Sequence, residues 1–255
     1  MRLTVLGRSP ARPNPGEACA GYLVEGGGTR LLVDIGPGIV AQLLRRHHPD
    51  ELDAVIVSHM HTDHMLDLVT LRYLYPWRRL AAEERLRVVL PPGSADQLLD
   101  LARGAGGAKH FEDAFRLTEH DGTTAFGFGS MTLTPRETQH YIPCWGFRAE
   151  ADGGRLAYTA DTAPCDGLTD LADDVDLLLS EATLRSLDED AQPPEPRGHL
   201  TPAEAGSAAR DGGARRLVLT HLPVNGDGAA WARTDAAAAF GSDVDIAEPG
   251  RTYEV

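Results

Sequence analysis

His59-Met60-His61-Thr62-Asp63-His64 places three imidazoles and a carboxylate within six residues, directly after the apolar run Leu52–Val57. That density suits neither a hydrophobic core nor ordinary surface. Imidazole nitrogen and carboxylate oxygen are, however, the donors that zinc and similar borderline ions take. A histidine-rich loop that binds metal loosely is the plainer alternative. The context argues for a built site: Leu52-Asp53-Ala54-Val55-Ile56-Val57-Ser58 reads as a buried, β-branched strand. The cluster then sits on the loop at the strand's carboxyl end, where open α/β sheets place their chemistry.

Three further residues occupy equivalent places. His140 closes the run Met131–Gln139, Asp161 closes Leu156–Ala160, and His221 closes Leu217–Thr220. A lone histidine or aspartate at a strand end is more often a cap or hydrogen-bond partner. Four coincident cases favour ligands.

The 255 residues suffice for one large core, with 42% hydrophobic and 24% charged residues as in ordinary globular proteins. A formal charge of -14 argues against nucleic-acid binding through a broad basic surface. Cys19, Cys144 and Cys165 form neither a disulfide framework nor a zinc-finger pattern. The start Met1–Gly7 is too short in apolar character for a signal peptide and reads as a first strand. No run is long enough to span a bilayer. The expectation is a soluble, cytoplasmic protein without membrane contact.

Along the chain, strands are expected at Leu3–Leu6, Gly21–Val24 and Arg30–Asp34, then a helix over Ile39–Arg46. The metal loop opens into a helix over Asp67–Leu74, whose Leu68, Leu71 and Leu74 have helical spacing. Val88–Leu90 is a strand, and Ser94–Ala102 a helix with Ser94 as N-cap. Gly104–Gly107 is a loop. Strands follow at Phe126–Phe128, Met131–Pro135, Cys144–Glu150, Leu156–Thr159 and Leu177–Ser180. Thr201-Pro202-Ala203-Glu204 starts a helix, with capping threonine, early proline and a glutamate three residues on. Leu217–Thr220 is the last strand expected before a glycine- and alanine-rich tail. The acidic, proline-rich Asp188–Arg197 is expected to be a surface loop near the site. Two packed β-sheets with helices outside, in one domain over 1–255, is the α/β architecture this order suggests.

His59-x-His61-x-Asp63-His64, His140, Asp161 and His221 together resemble the metallo-β-lactamase superfamily, hydrolases built as an αββα sandwich of two mixed sheets around a two-metal site. Leu32-Val33-Asp34-Ile35-Gly36 is similar to that superfamily's first motif. The resemblance implies that Asp34 lies behind the histidines; a turn-forming aspartate before glycine is the simpler reading. It further implies one metal on His59, His61 and His140, a second on Asp63, His64 and His221, and Asp161 bridging them. Zinc is the default for such donors, while manganese and iron suit a carboxylate-bridged pair. Two divalent ions about 3.5–4 Å apart share a hydroxide at neutral pH, the nucleophile the resemblance implies. Asp63, beside it, is then ligand or general base.

Ser180-Glu181-Ala182-Thr183 and Gly198-His199-Leu200-Thr201 resemble motifs of the ribonuclease Z-like branch, which acts on phosphodiesters. There the histidine, oriented by the glutamate, faces the scissile phosphate and assists the leaving oxygen. The alternative is a helix-start histidine and an ordinary strand-end carboxylate. Ribonuclease Z carries a long tRNA-binding arm between the residues matching His140 and Asp161. Here Tyr141–Ala160 has room only for two strands and a turn at Asp152-Gly153-Gly154, so a tRNA substrate is not expected. The chain more closely resembles armless bacterial relatives, some of them cyclic-nucleotide phosphodiesterases, and the branch implies a homodimer. The expected activity is phosphodiester cleavage in a small (cyclic) nucleotide, with His199, Glu181 and Asp63 as catalytic groups. A thioester, lactone or other acyl hydrolase keeps the same site, and a catalytically silent metal protein would need a disturbed ligand set that this chain lacks.

Among lesser signals, Arg72–Arg87 interleaves five arginines with Tyr73, Tyr75 and Trp77. It reads as a helix pair with snorkelling arginines, or as an anion-attracting lid. Cys144 and Cys165 each follow a ligand by four residues and read as small buried side chains, with a thiol near the metals as the alternative.

Overall fold

Short strands that alternate apolar side chains between their two faces build two sheets and three apolar layers. The computed structural model describes residues 1–190, 196–224 and 229–255. The strands are β1 (Arg2–Gly7), β2 (Gly21–Gly26), β3 (Thr29–Val33), β4 (Ala54–Ile56), β5 (Leu86–Leu90), β6 (Phe115–Glu119), β7 (Phe126–Phe128), β8 (Met131–Thr138), β9 (Cys144–Ala151), β10 (Gly154–Tyr158), β11 (Leu177–Glu181), β12 (Leu217–Thr220), β13 (Val244–Ile246) and β14 (Thr252–Glu254). One sheet has the order β14-β1-β2-β3-β4-β5-β6, the other β13-β12-β11-β10-β9-β8-β7. Each is mixed. In the first, pairing is antiparallel from β14 to β3 and parallel from β3 to β6. In the second it is antiparallel from β7 to β10 and parallel from β10 to β13.

Period-two alternation decides which side chain enters which layer. In β2 and β3, Tyr22, Val24, Leu31 and Val33 face the second sheet and meet Phe147, Leu156, Tyr158 and Leu179. Their neighbours Leu23 and Leu32 face outward, under α1 (Ile39–Leu43), α3 (Asp67–Leu71), α4 (Ala95–Gly104) and α5 (Ala108–Ala114), with the one-turn α2 (Thr62–Met65) leading into α3. On the far side Leu178, Leu217 and Leu219 are covered by α6 (Asp166–Ala172), α7 (Pro202–Asp211) and α8 (Ala230–Phe240). Helices therefore lie outside both sheets, as expected. No helix among the described residues is long and apolar enough to cross a membrane.

Several details differ from expectation. Leu217–Thr220 is not the last strand: β13 and β14 follow it, and the alanine-rich tail forms α8. Phe115–Glu119, unforeseen, is the edge strand β6. Ser94 precedes α4 without capping it; Glu119 accepts from Gly93 N (3.0 Å) and Ala95 N (2.7 Å) instead, because β6 ends beside that turn. Thr201 does cap α7, in a capping box with Glu204. Arg72–Arg87 makes neither a helix pair nor a lid. Pro76 cannot continue a helix, and the segment forms single turns at Arg72–Leu74 and Ala82–Glu84. Arg72 is buried, donating to the carbonyls of Tyr75 (3.0 Å) and Pro76 (3.2 Å).

Candidate metal centre and active site

β3 runs parallel to β4, and β10, β11 and β12 run parallel to one another, so their carboxyl ends open on one edge. Asp34 follows β3, His59 lies three residues beyond β4, Glu181 ends β11, Asp161 lies three beyond β10, and His221 follows β12. Asp34 (φ 59), Ala160 (φ 52) and His221 (φ 53) all occupy the left-handed region. Non-glycine residues avoid that region, and such strain concentrates at functional sites. Gly36 seats the metal loop: a Cβ there would collide with the Asp63 carbonyl oxygen, and Ile35 N donates to the His64 carbonyl at 2.7 Å.

The seven expected ligands converge as two groups that share Asp161. In the first, His61 Nδ1 lies 3.2 Å from His59 Nε2 and 3.0 Å from His140 Nε2. Asp161 Oδ2 stands 3.8 Å from His59 Nε2 and 3.7 Å from His140 Nε2. In the second, His64 Nε2 and His221 Nε2 are 3.3 Å apart, and each reaches Asp63 Oδ2, at 3.4 and 3.2 Å. Asp161 turns its other oxygen, Oδ1, to them at 3.4 and 3.6 Å.

The outer nitrogens show which lone pairs point inward. His140 Nδ1 donates to the Gly198 carbonyl (2.7 Å) and His64 Nδ1 to Asp34 Oδ2 (2.8 Å). Ser58 Oγ donates to Asp34 Oδ2 (2.9 Å), so it accepts from His59 Nδ1 (3.0 Å). Thr183 Oγ1 donates to the His221 carbonyl (3.0 Å), so it accepts from His221 Nδ1 (2.8 Å). Each ring thereby keeps its Nε2 lone pair for the cluster, the arrangement outer partners of metal-binding histidines enforce. The Asp34 alternatives merge: it is both a left-handed turn residue and the group behind the histidines.

A cation fits this arrangement. Nitrogens about 2.0–2.1 Å from a tetrahedral ion stand roughly 3.3 Å apart, close to the spacings seen. Without one, lone pairs face each other and buried Asp161 Oδ1 accepts no hydrogen bond. Burial lowers the pKa of His59, His61 and His140, favouring the neutral rings a metal requires. The described residues could therefore hold metal.

Beside the cluster, His199 Nδ1 donates to Glu181 Oε1 at 2.9 Å, and Glu181 is wholly buried. Glu181 also accepts from Thr162 N (2.8 Å) and Thr183 N (2.9 Å), so its oxygens are spoken for by N–H groups rather than open to a third ion. Burial opposes charge on His199, but Glu181 and then Asp161 and Asp190 outweigh it and raise its pKa to about 9. Asp190 fixes the segment, accepting from Gly198 N and His199 N at 3.0 Å each and from the Tyr141 hydroxyl. Gly198 lies so close under the Tyr141 ring that a Cβ would come within 2.6 Å of it. In the sequence Asp190, Tyr141, Ser58 and Thr183 carry no role of their own, although Thr183 ends the Ser180–Thr183 motif and Ser58 the Leu52–Ser58 strand. Of the expected loop Asp188–Arg197, residues 191–195 lie outside the described residues.

A cavity of about 620 Å³ opens over the cluster, with His61, Asp63, Asp161, His199 and His221 on its floor and Met60, Tyr141 and Leu184 among its apolar walls. No residue of Arg72–Arg87 lines it. The cysteines stay outside: Cys144 is buried with its thiol 3.4 Å from the Asp161 carbonyl, and burial pushes the Cys19 thiol up to about 11.

The family model described as Beta-lactamase superfamily domain matches residues 29–222. The probable metallo-hydrolase YhfI of Bacillus subtilis is 30% identical over 100% of both chains. Its crystal structure superposes with a TM-score of 0.86 at 28% identity, covering 100% of this chain and 99% of that one. A ribonuclease Z of Myxococcus xanthus is 30% identical over 100% of this chain and 98% of its own. The short form of human tRNase Z shares the fold, with a TM-score of 0.76 at 22% identity over 100% of this chain and 99% of its own.

Proposed function

The chain belongs to the metallo-β-lactamase superfamily and is a metal-dependent hydrolase, and from that premise we propose that it binds two divalent ions and cleaves a phosphodiester in a small, cyclic nucleotide. The observation that carries the reading is the His199–Glu181 pair, set beside a cluster that splits into two cages around one carboxylate. The donor set favours zinc, with manganese or iron compatible with the Asp161 bridge. Bound in the two cages, the ions would acidify water and offset phosphoryl charge.

The chain's own residues do the rest. His59, His61 and His140 form one cage, Asp63, His64 and His221 the other, and Asp161 spans them. His199 anchors Nδ1–H on Glu181 and presents Nε2 to the cavity; its raised pKa keeps a proton there to neutralise a phosphoryl oxygen or reach the leaving oxygen. Asp63 lies where it can ligate and also accept a proton. The apolar walls suit the organic part of a nucleotide. The β9–β10 hairpin fills the interval between His140 and Asp161, leaving no arm there for tRNA. A relative named for ribonuclease activity adds support for phosphodiester chemistry.

The test is a substrate panel on the zinc- or manganese-loaded protein: bis(p-nitrophenyl) phosphate and cyclic nucleotides against thioesters and lactones. Turnover confined to the phosphodiesters supports the proposal. Turnover confined to acyl substrates contradicts it and makes the protein an acyl hydrolase.

A further inference from the structure

The loop joining β1 to β2 carries Arg12 to the mouth of the cavity over the metal cages. Its base is firmly braced. Arg8 grips Glu17 through two bonds of 3.0 and 2.8 Å. Buried Asn14 donates to Glu17 Oε2 (3.0 Å) and to the Leu222 carbonyl (3.0 Å), and its Oδ1 accepts from Val224 N at 2.8 Å. Asn14 N donates in turn to the Oγ of wholly buried Ser9 at 3.2 Å. The loop is thereby fastened to the residues that follow His221, and Pro10, Pro13 and Pro15 restrict what remains of its backbone freedom.

All this fixes the base of a loop whose tip, Ala11–Arg12, is exposed. Among the described residues Arg12 has no hydrogen bond or ion pair, and it is the one arginine or lysine lining the cavity. Glu189 lines the same cavity, in a chain of formal charge -14. An anionic substrate approaching such a molecule is repelled at long range, and a guanidinium at the entrance offsets part of that. The braced backbone sets where the side chain starts, and the guanidinium can pair with phosphate through charge-assisted hydrogen bonds.

Resting on the phosphodiester reading, we propose that Arg12 is a specificity-determining residue: its guanidinium pairs with anionic phosphoryl oxygens of the nucleotide. The cavity accordingly takes phosphoesters of nucleoside monophosphate size and gives neutral esters no comparable hold.

The probe is 5′-AMP, titrated calorimetrically into the zinc-loaded wild type, Arg12→Gln and Arg12→Lys at two salt concentrations. The expected result is about tenfold weaker binding by Arg12→Gln, partial recovery by Arg12→Lys, and a difference that shrinks as salt rises. Wild-type affinity in Arg12→Gln overturns the inference. So does a loss in Arg12→Gln that stays the same as salt rises, because pairing of exposed charges is screened by salt. Bis(p-nitrophenyl) phosphate, assayed on the same wild-type sample, separates the two levels: turnover with an inert Arg12 removes only the inference, whereas neither turnover nor 5′-AMP binding removes the phosphodiester reading as well.

Discussion

Tyr158 and Asp34 meet across the two sheets, the buried Tyr158 hydroxyl donating to Asp34 Oδ2 at 2.9 Å. The same carboxylate holds His64 directly and His59 through Ser58, while Oδ1 accepts from Ser58 N at 2.8 Å. One carboxylate from the first sheet thus orients a histidine of each cage, and a tyrosine from the second sheet locks it in place.

Tyr158→Phe removes that lock while leaving Asp34 its other donors. The expected cost is about 1 kcal/mol of stability, the usual worth of a buried hydrogen bond. Metal affinity should fall about tenfold, as for other partners behind metal ligands. Thermal melting and calorimetric zinc titration check both.

Asp161→Ala removes the oxygens facing both cages. Elemental analysis should then find metal lost together with activity. Full occupancy with normal turnover would end the bridging role.

His120 supplies a pH dependence remote from the cages. Burial among Phe126, Trp145 and Phe147 lowers its pKa from 6.5 to about 4, against the pull of Asp121 and Glu119. Between those values the unfolded chain binds a proton that the folded chain refuses, so stability is complete above about pH 6.5 and declines as pH falls toward 4. Gly122 N donates to His120 Nδ1 at 3.0 Å. His120→Gln can keep an acceptor there but does not titrate, so it should flatten this part of the profile. Urea midpoints at pH 4.5 and 7 give the comparison.

The site was more legible than its supports, for physical reasons. Groups that can hold a metal are particular side chains, here at strand ends, so His59–His64, His140, Asp161 and His221 stand out in the sequence one by one. Glu181 and His199 were visible because their motifs are compact. The supports use backbone and common polar groups: the Gly198 carbonyl, Ser58, Asp190 and Asn14 signal nothing until the chain is folded. In the fold, α8 reads as a tail in the sequence because alanine packs helix against helix without a strong apolar stripe. β13 and β14 are three-residue strands, too short for alternation to register. In β6 only Phe115 is buried, so its pattern is weak.

The most direct test compares wild type and His199→Ala at equal metal content on bis(p-nitrophenyl) phosphate. Glu181 holds this histidine without giving it to either cage, so the variant should keep its full metal content and lose about a hundredfold or more in turnover. An unchanged rate at full metal occupancy would contradict the account at its centre.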